Sequence, residues 1–473
     1  MDTNHGLDRS RLWTAVVVLI AAPVLLTLCS ILWNTPYPLS EGVGLLEDVV
    51  DPVAFRMRFF DPGVTYYRPL FHLSLFTAWH ASPSLDVFVS SVRLFHIVPV
   101  IVLVVLLIAL MRPARATDAA AATLALAVLF GSPGFKDNLE IPLTYTIVGM
   151  VIALAVWRLL ERAARPWHGL AIVALTLIAI GFKEQGLVMV PVIVLAWWMG
   201  APGVGRGTAL AVVAIAAAYV ALRLGQGDGF ATFAQDIGFG FTQLPARVAT
   251  ERFGSSPLWM YAYNGASTIA NVLFAEPTAG VFSVTRAVLD GEAAPWHVVY
   301  LASSILTTVL MAWWAIGAVR RSMRVGWTAE ARLAGALVVA LAASGALSFN
   351  YSRDRLGGMA VVFYVLASFY AVRAFVDRLE HARVRMTAVA GLVLLLLAGA
   401  WQVRTIHTLE GLRRWSANSQ REWITDLQER RTEFARRPVF IGLMEDLRPQ
   451  GTAPGLAQQT LYPEWVLRIL GPF

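Results

Sequence analysis

Long apolar blocks, parted by short arginine-bearing breaks, run through this chain from residue 12 to residue 402. Inside hydrocarbon a backbone must satisfy its own N–H and C=O groups, which leaves the helix and the closed barrel. The blocks are continuous rather than alternating. Each is about 15–25 residues long, which predicts helices that cross a bilayer. Composition agrees: 57% of the 473 residues are hydrophobic and 15% are charged, whereas ordinary soluble domains carry about 25% charge.

The expected fold class is therefore an all-α polytopic membrane protein of about 11 transmembrane helices. Outer interfacial helices and a small extracytoplasmic C-terminal tail, a helix plus a strand, complete it. Spans are expected near 12–33, 86–110, 118–133, 141–158, 168–182, 186–200, 207–224, 296–319, 329–349, 356–376 and 385–402. Residues 1–402 then form the membrane domain, with a first outer loop at 34–85 and a long outer loop at 225–295. Residues 403–473 form an extracytoplasmic segment, in which Val439–Leu443 reads as a strand. Arg9 and Arg11 before the first block resemble the start of a signal peptide. No small-x-small cleavage site follows, so that helix is expected to be retained.

Charge sets the orientation. One set of breaks carries Arg9, Arg11, Arg112, Arg115, Arg158, Arg162, Arg165, Arg206, Arg320, Arg321, Arg324, Arg332, Arg373, Arg378, Arg383 and Arg385. The short breaks of the other set carry Lys136, Lys183, Arg353 and Arg355. The positive-inside rule puts the first set and the amino terminus in the cytoplasm, and an odd number of spans puts the carboxyl terminus outside. Residues 68–82 are apolar but too short to cross. They are expected to lie on the outer interface, with His72, Trp79 and His80 reaching headgroups. The formal charge of +7 does not imply nucleic acid, because the arginines are dispersed between spans rather than gathered in a patch. The single cysteine, Cys29, excludes an intramolecular disulfide framework and a cysteine-cluster metal site.

Within this arginine-rich chain Lys136 and Lys183 are the only lysines, and they occupy near-identical phrases, Gly134-Phe135-Lys136-Asp137 and Gly181-Phe182-Lys183-Glu184. The apolar stretches around Lys183 are short. Fifteen helical residues reach about 22 Å, against a hydrocarbon core of about 30 Å. The connection is therefore expected to lie in a cavity below the outer surface. A charge near the centre of a membrane helix costs about 2.5–3.5 kcal/mol on insertion scales, which a neighbouring carboxylate or an anionic ligand would offset. Lysine suits a phosphate as a compact point charge. The plainer reading is a lysine that snorkels to the interface.

Carboxylates cluster after the first span. Glu41 follows Ser40, and Glu47, Asp48 and Asp51 come next. Glu41 is the candidate general base, with Asp48 or Glu47 as alternatives. The same residues would hold a divalent metal (Mg or Mn) through oxygen, although their spacing matches no fixed metal loop. A solvated helix face is the plainer reading. Further on stand Asp61, Tyr67 and Arg68 in the segment before Pro69, and Arg353 and Arg355 flank Asp354 in the last short break.

At these residues the chain resembles the GT-C superfamily of polytopic glycosyltransferases, in particular protein O-mannosyltransferases and bacterial aminoarabinose transferases. Tyr66-Tyr67-Arg68-Pro69-Leu70 is similar to the YRPL segment of the tetratricopeptide-bearing O-mannosyltransferases. Phe182-Lys183-Glu184 with Pro191 looks like their Lys-Glu…Pro stretch, and Tyr351–Arg355 is loosely like their late outer loop. The resemblance implies a polyprenyl-phosphate-linked sugar donor, a glycan, lipid or protein acceptor, and a place in the bacterial cytoplasmic membrane. It implies Lys183, Lys136, Arg353 and Arg355 on the donor phosphate, and Tyr67, Arg68, Asp61 and Glu184 in the substrate loop. Two departures stand out: Ser40-Glu41 replaces an acidic pair, and no tetratricopeptide repeats follow the last span. A secondary transporter, or a non-catalytic lipid-binding assembly protein of the same fold, is the alternative. The transporter would call for repeats and midplane charges that the sequence lacks.

Overall fold

The computed structural model describes residues 3–62, 67–139, 145–224, 238–239, 242–243, 247–248, 251, 254, 258–274, 287–349, 352–379, 384–453 and 461–462. In chain order its helices are α1 (Thr3–Asn34), α2 (Ser40–Val50), α3 (Pro52–Phe60), α4 (Pro69–Ala81), α5 (Leu85–Met111), α6 (Ala116–Phe130), α7 (Pro133–Lys136), α8 (Tyr145–Leu160), α9 (His168–Phe182), α10 (Met189–Trp198), α11 (Arg206–Leu224), α12 (Leu258–Phe274), α13 (Pro295–Val325), α14 (Ala329–Leu347), α15 (Gly358–Leu379), α16 (Val384–Arg421), α17 (Leu427–Glu433) and α18 (Pro438–Gly451). Two-residue strands β1 (Gly238–Phe239) and β2 (Thr242–Gln243) pair antiparallel.

Among the described residues seven helical stretches are long and apolar enough to cross a membrane: Ser10–Asn34, Leu85–Met111, Arg206–Arg223, Pro295–Val325, Ala329–Leu347, Asp354–Leu379 and Ala388–Glu433. Four shorter apolar helices, Ala116–Phe130, Thr146–Leu160, His168–Phe182 and Glu184–Trp198, stand among them. Burial ranks the bundle. The apolar stretch of α15 is 72% buried, because α6, α8, α13 and α14 surround it. That of α11 is only 17% buried, which marks it as peripheral. An all-apolar surface on both kinds of helix hid this difference from the sequence, since lipid and protein neighbours select the same residue types.

A second apolar cluster forms outside the main core. Tyr37, Leu39, Val43 and Leu46 of the first loop meet Phe71 and Leu75 of α4, Phe88 and Val92 of α5, and Trp423, Phe440, Leu443 and Met444 of the carboxyl-terminal segment. The segments after the first and last long helices thus fold together at one end of the bundle. Helix α16 carries the chain there without a break: its 38 residues span about 57 Å, so the last apolar block and the charged tail are one helix. A π-helical turn at Glu422–Asp426 follows. It drops Trp423 into the cluster, where Nε1 donates to the Tyr37 carbonyl at 2.7 Å.

Two expectations change here. Val439–Leu443 is not a strand but the start of α18. Pro438 opens the helix, and Phe440, Leu443, Met444 and Leu447 recur at helical spacing on its buried face. Helix α4 forms as expected, but His72 does not reach outward. It is 2% exposed, and its Nδ1 lies 2.9 Å from the Arg68 carbonyl.

Candidate functional site

The second lysine phrase bends where the first does not. Helix α9 ends at Phe182, and Lys183 is fully extended at φ −163°, ψ 145°. Its N–H still donates to the Ala179 carbonyl at 3.0 Å. The chain then turns through a 3-10 stretch, Glu184–Val188, before α10. Gly186 makes this possible: a Cβ there would stand 2.4 Å from the Ala179 carbonyl carbon and the Ile180 nitrogen. Glycine lets the turn lie flat against α9, and the extended residue then projects inward. Lys183 is 2% exposed, and its Nζ donates to Thr146 Oγ1 at 3.2 Å, in the first turn of α8.

Three segments far apart in sequence gather around this ammonium. From the first loop, Arg68 Nη2 pairs with Glu184 Oε1 at 3.4 Å. From the turn before α15, the Arg355 carbonyl accepts from Gln185 Nε2 at 3.5 Å and from Asn138 Nδ2 at 3.3 Å. The Arg355 N–H donates to Asp137 Oδ2 at 3.0 Å, so the acid of the first lysine phrase holds the third segment in place. Lys183 lies within electrostatic reach of Arg68, Glu184, Arg355 and Asp137. Among the described residues, two arginines and two carboxylates thus surround the lysine. Helix α11 adds Tyr219, within reach of Glu184, Arg68, Arg223 and Tyr67. The buried Arg223 donates to the Pro62 carbonyl, beside Asp61. Tyr67 Oη donates to the Phe59 carbonyl at 3.2 Å.

The other expected residues separate from this group. Lys136 ends α7 in helical backbone and leans over Gly411 of α16, where a Cβ would be 2.7 Å from its Cε. Arg353 is the extended residue before the last 3-10 turn and is half-buried. Among the acids, Asp48 pairs with Arg58 at 3.0 Å, Glu47 pairs with Arg437 of the tail, and Asp51 caps α3 by accepting from the Val53 N–H at 2.9 Å. Burial raises the Asp48 carboxyl above its ordinary range, against the pull of Arg58 and Arg437. Glu41 opens α2, but its side chain lies outside the described residues, as do Tyr66, Asn350 and Tyr351.

Burial, helped by Arg58 and Arg68, lowers the His72 imidazole to about 4, so it is neutral at pH 7. His72 lies within electrostatic reach of Arg58, the partner of Asp48, and of Arg68, the partner of Glu184. Sequence reading missed Thr146, Asn138, Gln185, Tyr219 and Arg223. Of these, Arg223 carried a signal, a charge near the end of an apolar block. Among the described residues no three His, Cys, Asp or Glu side chains gather as a metal would require. Compared with protein-family models, curated proteins and solved structures, the chain matches none of them, so what it does must be read from its own residues.

Proposed function

We propose that this chain is an inverting glycosyltransferase of the GT-C kind. It would move a sugar from a polyprenyl-phosphate donor to an acceptor hydroxyl at the outer face of the cytoplasmic membrane. One observation supports the reading: Arg68 and Arg355, drawn from two distant breaks, lie within electrostatic reach of the buried Lys183 amine. Such a group suits an anion that arrives at the membrane end on an apolar carrier. The seven long and four shorter apolar helices would then be eleven crossings, with the amino terminus in the cytoplasm and the Lys183 end outside.

The chemistry follows from the donor. A carboxylate, Glu41 or Asp48, takes the proton of the acceptor hydroxyl, and the oxygen attacks the anomeric carbon. The bond from that carbon to the phosphate oxygen breaks, and polyprenyl phosphate departs as an anion. Lys183, Arg68 and Arg355 stabilise the charge that grows on its oxygens. No second carboxyl group is needed to protonate the leaving group, unlike glycoside hydrolysis. A burial-raised Asp48 is the better base once Arg58 releases it; Glu41 is the shorter route from the first span.

The test is transfer from lipid-linked sugars by membranes of a deletion strain carrying each variant. Glu41→Gln should abolish transfer at normal expression while Asp48→Asn retains it, or the reverse. Full transfer in both variants, and in Lys183→Met, would overturn the proposal. Extracts of the deletion strain, searched for a missing sugar on glycan, lipid or protein, identify the acceptor.

A further inference from the structure

A cavity of about 250 Å³ opens between α5, α8, α14 and α15, at the end of the bundle away from Lys183. Helix α8 relates the two ends: Thr146 touches Lys183, and Arg158 on the cavity wall lies twelve residues further, about 18 Å along the axis. Arg112, Arg158 and Arg162 line the cavity on one side. Trp157, Leu366 and Tyr370 supply an apolar and aromatic wall.

The carboxylates that line it are engaged elsewhere. Glu161 accepts from Arg332 Nε at 2.8 Å and from Nη2 at 2.6 Å, a bidentate pair. Glu330 accepts from Arg321. Among the described residues no carboxylate lies within ion-pair distance of Arg112, Arg158 or Arg162, and Arg158 is close enough to the other two to be repelled by both. Arg112 also takes a left-handed backbone, φ 47°, in which glycine is favoured. Three arginines thus line one cavity whose two described acids are each paired with an arginine outside it, which leaves the cavity suited to an anion.

We infer that this cavity binds a phosphate ester anion. Arginine forks match phosphate oxygens in pairs, and the tryptophan and tyrosine beside them suit the organic part of an ester. The phosphate would come either from the headgroup of an anionic phospholipid or from a soluble phosphate. The site is separate from the Lys183 group and does not depend on the transferase reading.

The full chain, purified in neutral detergent, is titrated with phosphatidylglycerol, with diacylglycerol and with inorganic phosphate while its unfolding temperature is read. A ligand of the folded state raises that temperature by mass action. The expected result is a saturable rise with phosphatidylglycerol, with inorganic phosphate or with both, and none with diacylglycerol. A rise with the lipid alone assigns a headgroup, and a rise with inorganic phosphate assigns the soluble source. Arg158→Gln should weaken binding by about tenfold or more, and Arg158→Lys by less. The exposed pair Arg112→Gln/Arg162→Gln gives the same loss without touching a half-buried residue. Arg324→Gln, an exposed arginine outside the cavity, should leave binding unchanged. No rise with either phosphate, unaltered binding in the double variant, or an equal loss in Arg324→Gln would overturn the inference.

Discussion

Two near-identical four-residue phrases are folded in this protein, and the two copies end in different places. In Gly134–Asp137 the chain stays helical, Pro133 starts the turn, and Lys136 lies half-buried over Gly411. In Gly181–Glu184 the helix stops before the lysine, which extends and is buried against Thr146. The acids divide as well: Asp137 accepts a backbone N–H from Arg355, while Glu184 pairs with the Arg68 guanidinium. Near-identical phrases in the sequence thus yield a bracing turn in one copy and a buried lysine in the other. Backbone conformation at a single residue decides between them.

The largest expected difference is in turnover. Lys183→Met should lower sugar transfer by about 10²–10³-fold, the scale of losing one donor to a developing oxyanion. Lys136→Met should lower it by less than about tenfold. Equal losses in the two variants would erase the distinction between the copies. Arg68→Gln should come next, at about tenfold or more, because it removes a cation and leaves Glu184 without its partner. A rise in KM for the donor, measured against chain-truncated donors, separates loss of phosphate binding from loss of packing.

Stability gives a smaller contrast. Gly186→Ala places a methyl group 2.4 Å from the backbone of α9 and should cost about 1–3 kcal/mol, whereas Gly134→Ala meets Val361 Cγ2 at 3.0 Å and the Asp354 carbonyl oxygen at 3.1 Å, a milder approach inside a helix that favours alanine. The second should therefore cost less than the first in thermal unfolding. A reversed order would mean that the flat turn is not what holds Lys183. A stability effect of similar size is one of pH. The His72 imidazole falls from 6.5 to about 4 in the folded chain. Between those values the unfolded chain takes up a proton that the folded chain refuses. Stability is then complete above about 6.5 and declines as pH falls toward about 4, by up to about 3 kcal/mol. His72→Gln should flatten that part of the profile.

The seven long apolar helices were readable because hydrocarbon demands such helices. The meeting of residues 68, 183–185 and 355 was anticipated only as an order of motifs along the chain. What the sequence could not disclose was geometry across segments. Within the two phrases only the acid after the lysine differs, and their flanks, Pro133 and Gly186, gain meaning only from the fold; Val439–Leu443 likewise reads as a strand until α18 is seen to bury its face. Glu47 and Asp48 looked like a pair of bases or metal ligands, yet each is bound by an arginine, one of them from the tail almost four hundred positions away. Arg158 and Arg162 read as topology signals, and only the cavity beside them gives them a second role.

The most direct test is equilibrium binding of polyprenyl phosphate to the purified chain, with the matching polyprenol as the control for its apolar tail. The expected result is tight binding of the phosphate over the alcohol in the native protein and in Lys136→Met, and at least about tenfold weaker binding in Lys183→Met. Equal affinity for phosphate and alcohol, or unaltered phosphate binding after Lys183→Met, would contradict the assignment of the buried ammonium to a lipid-borne anion.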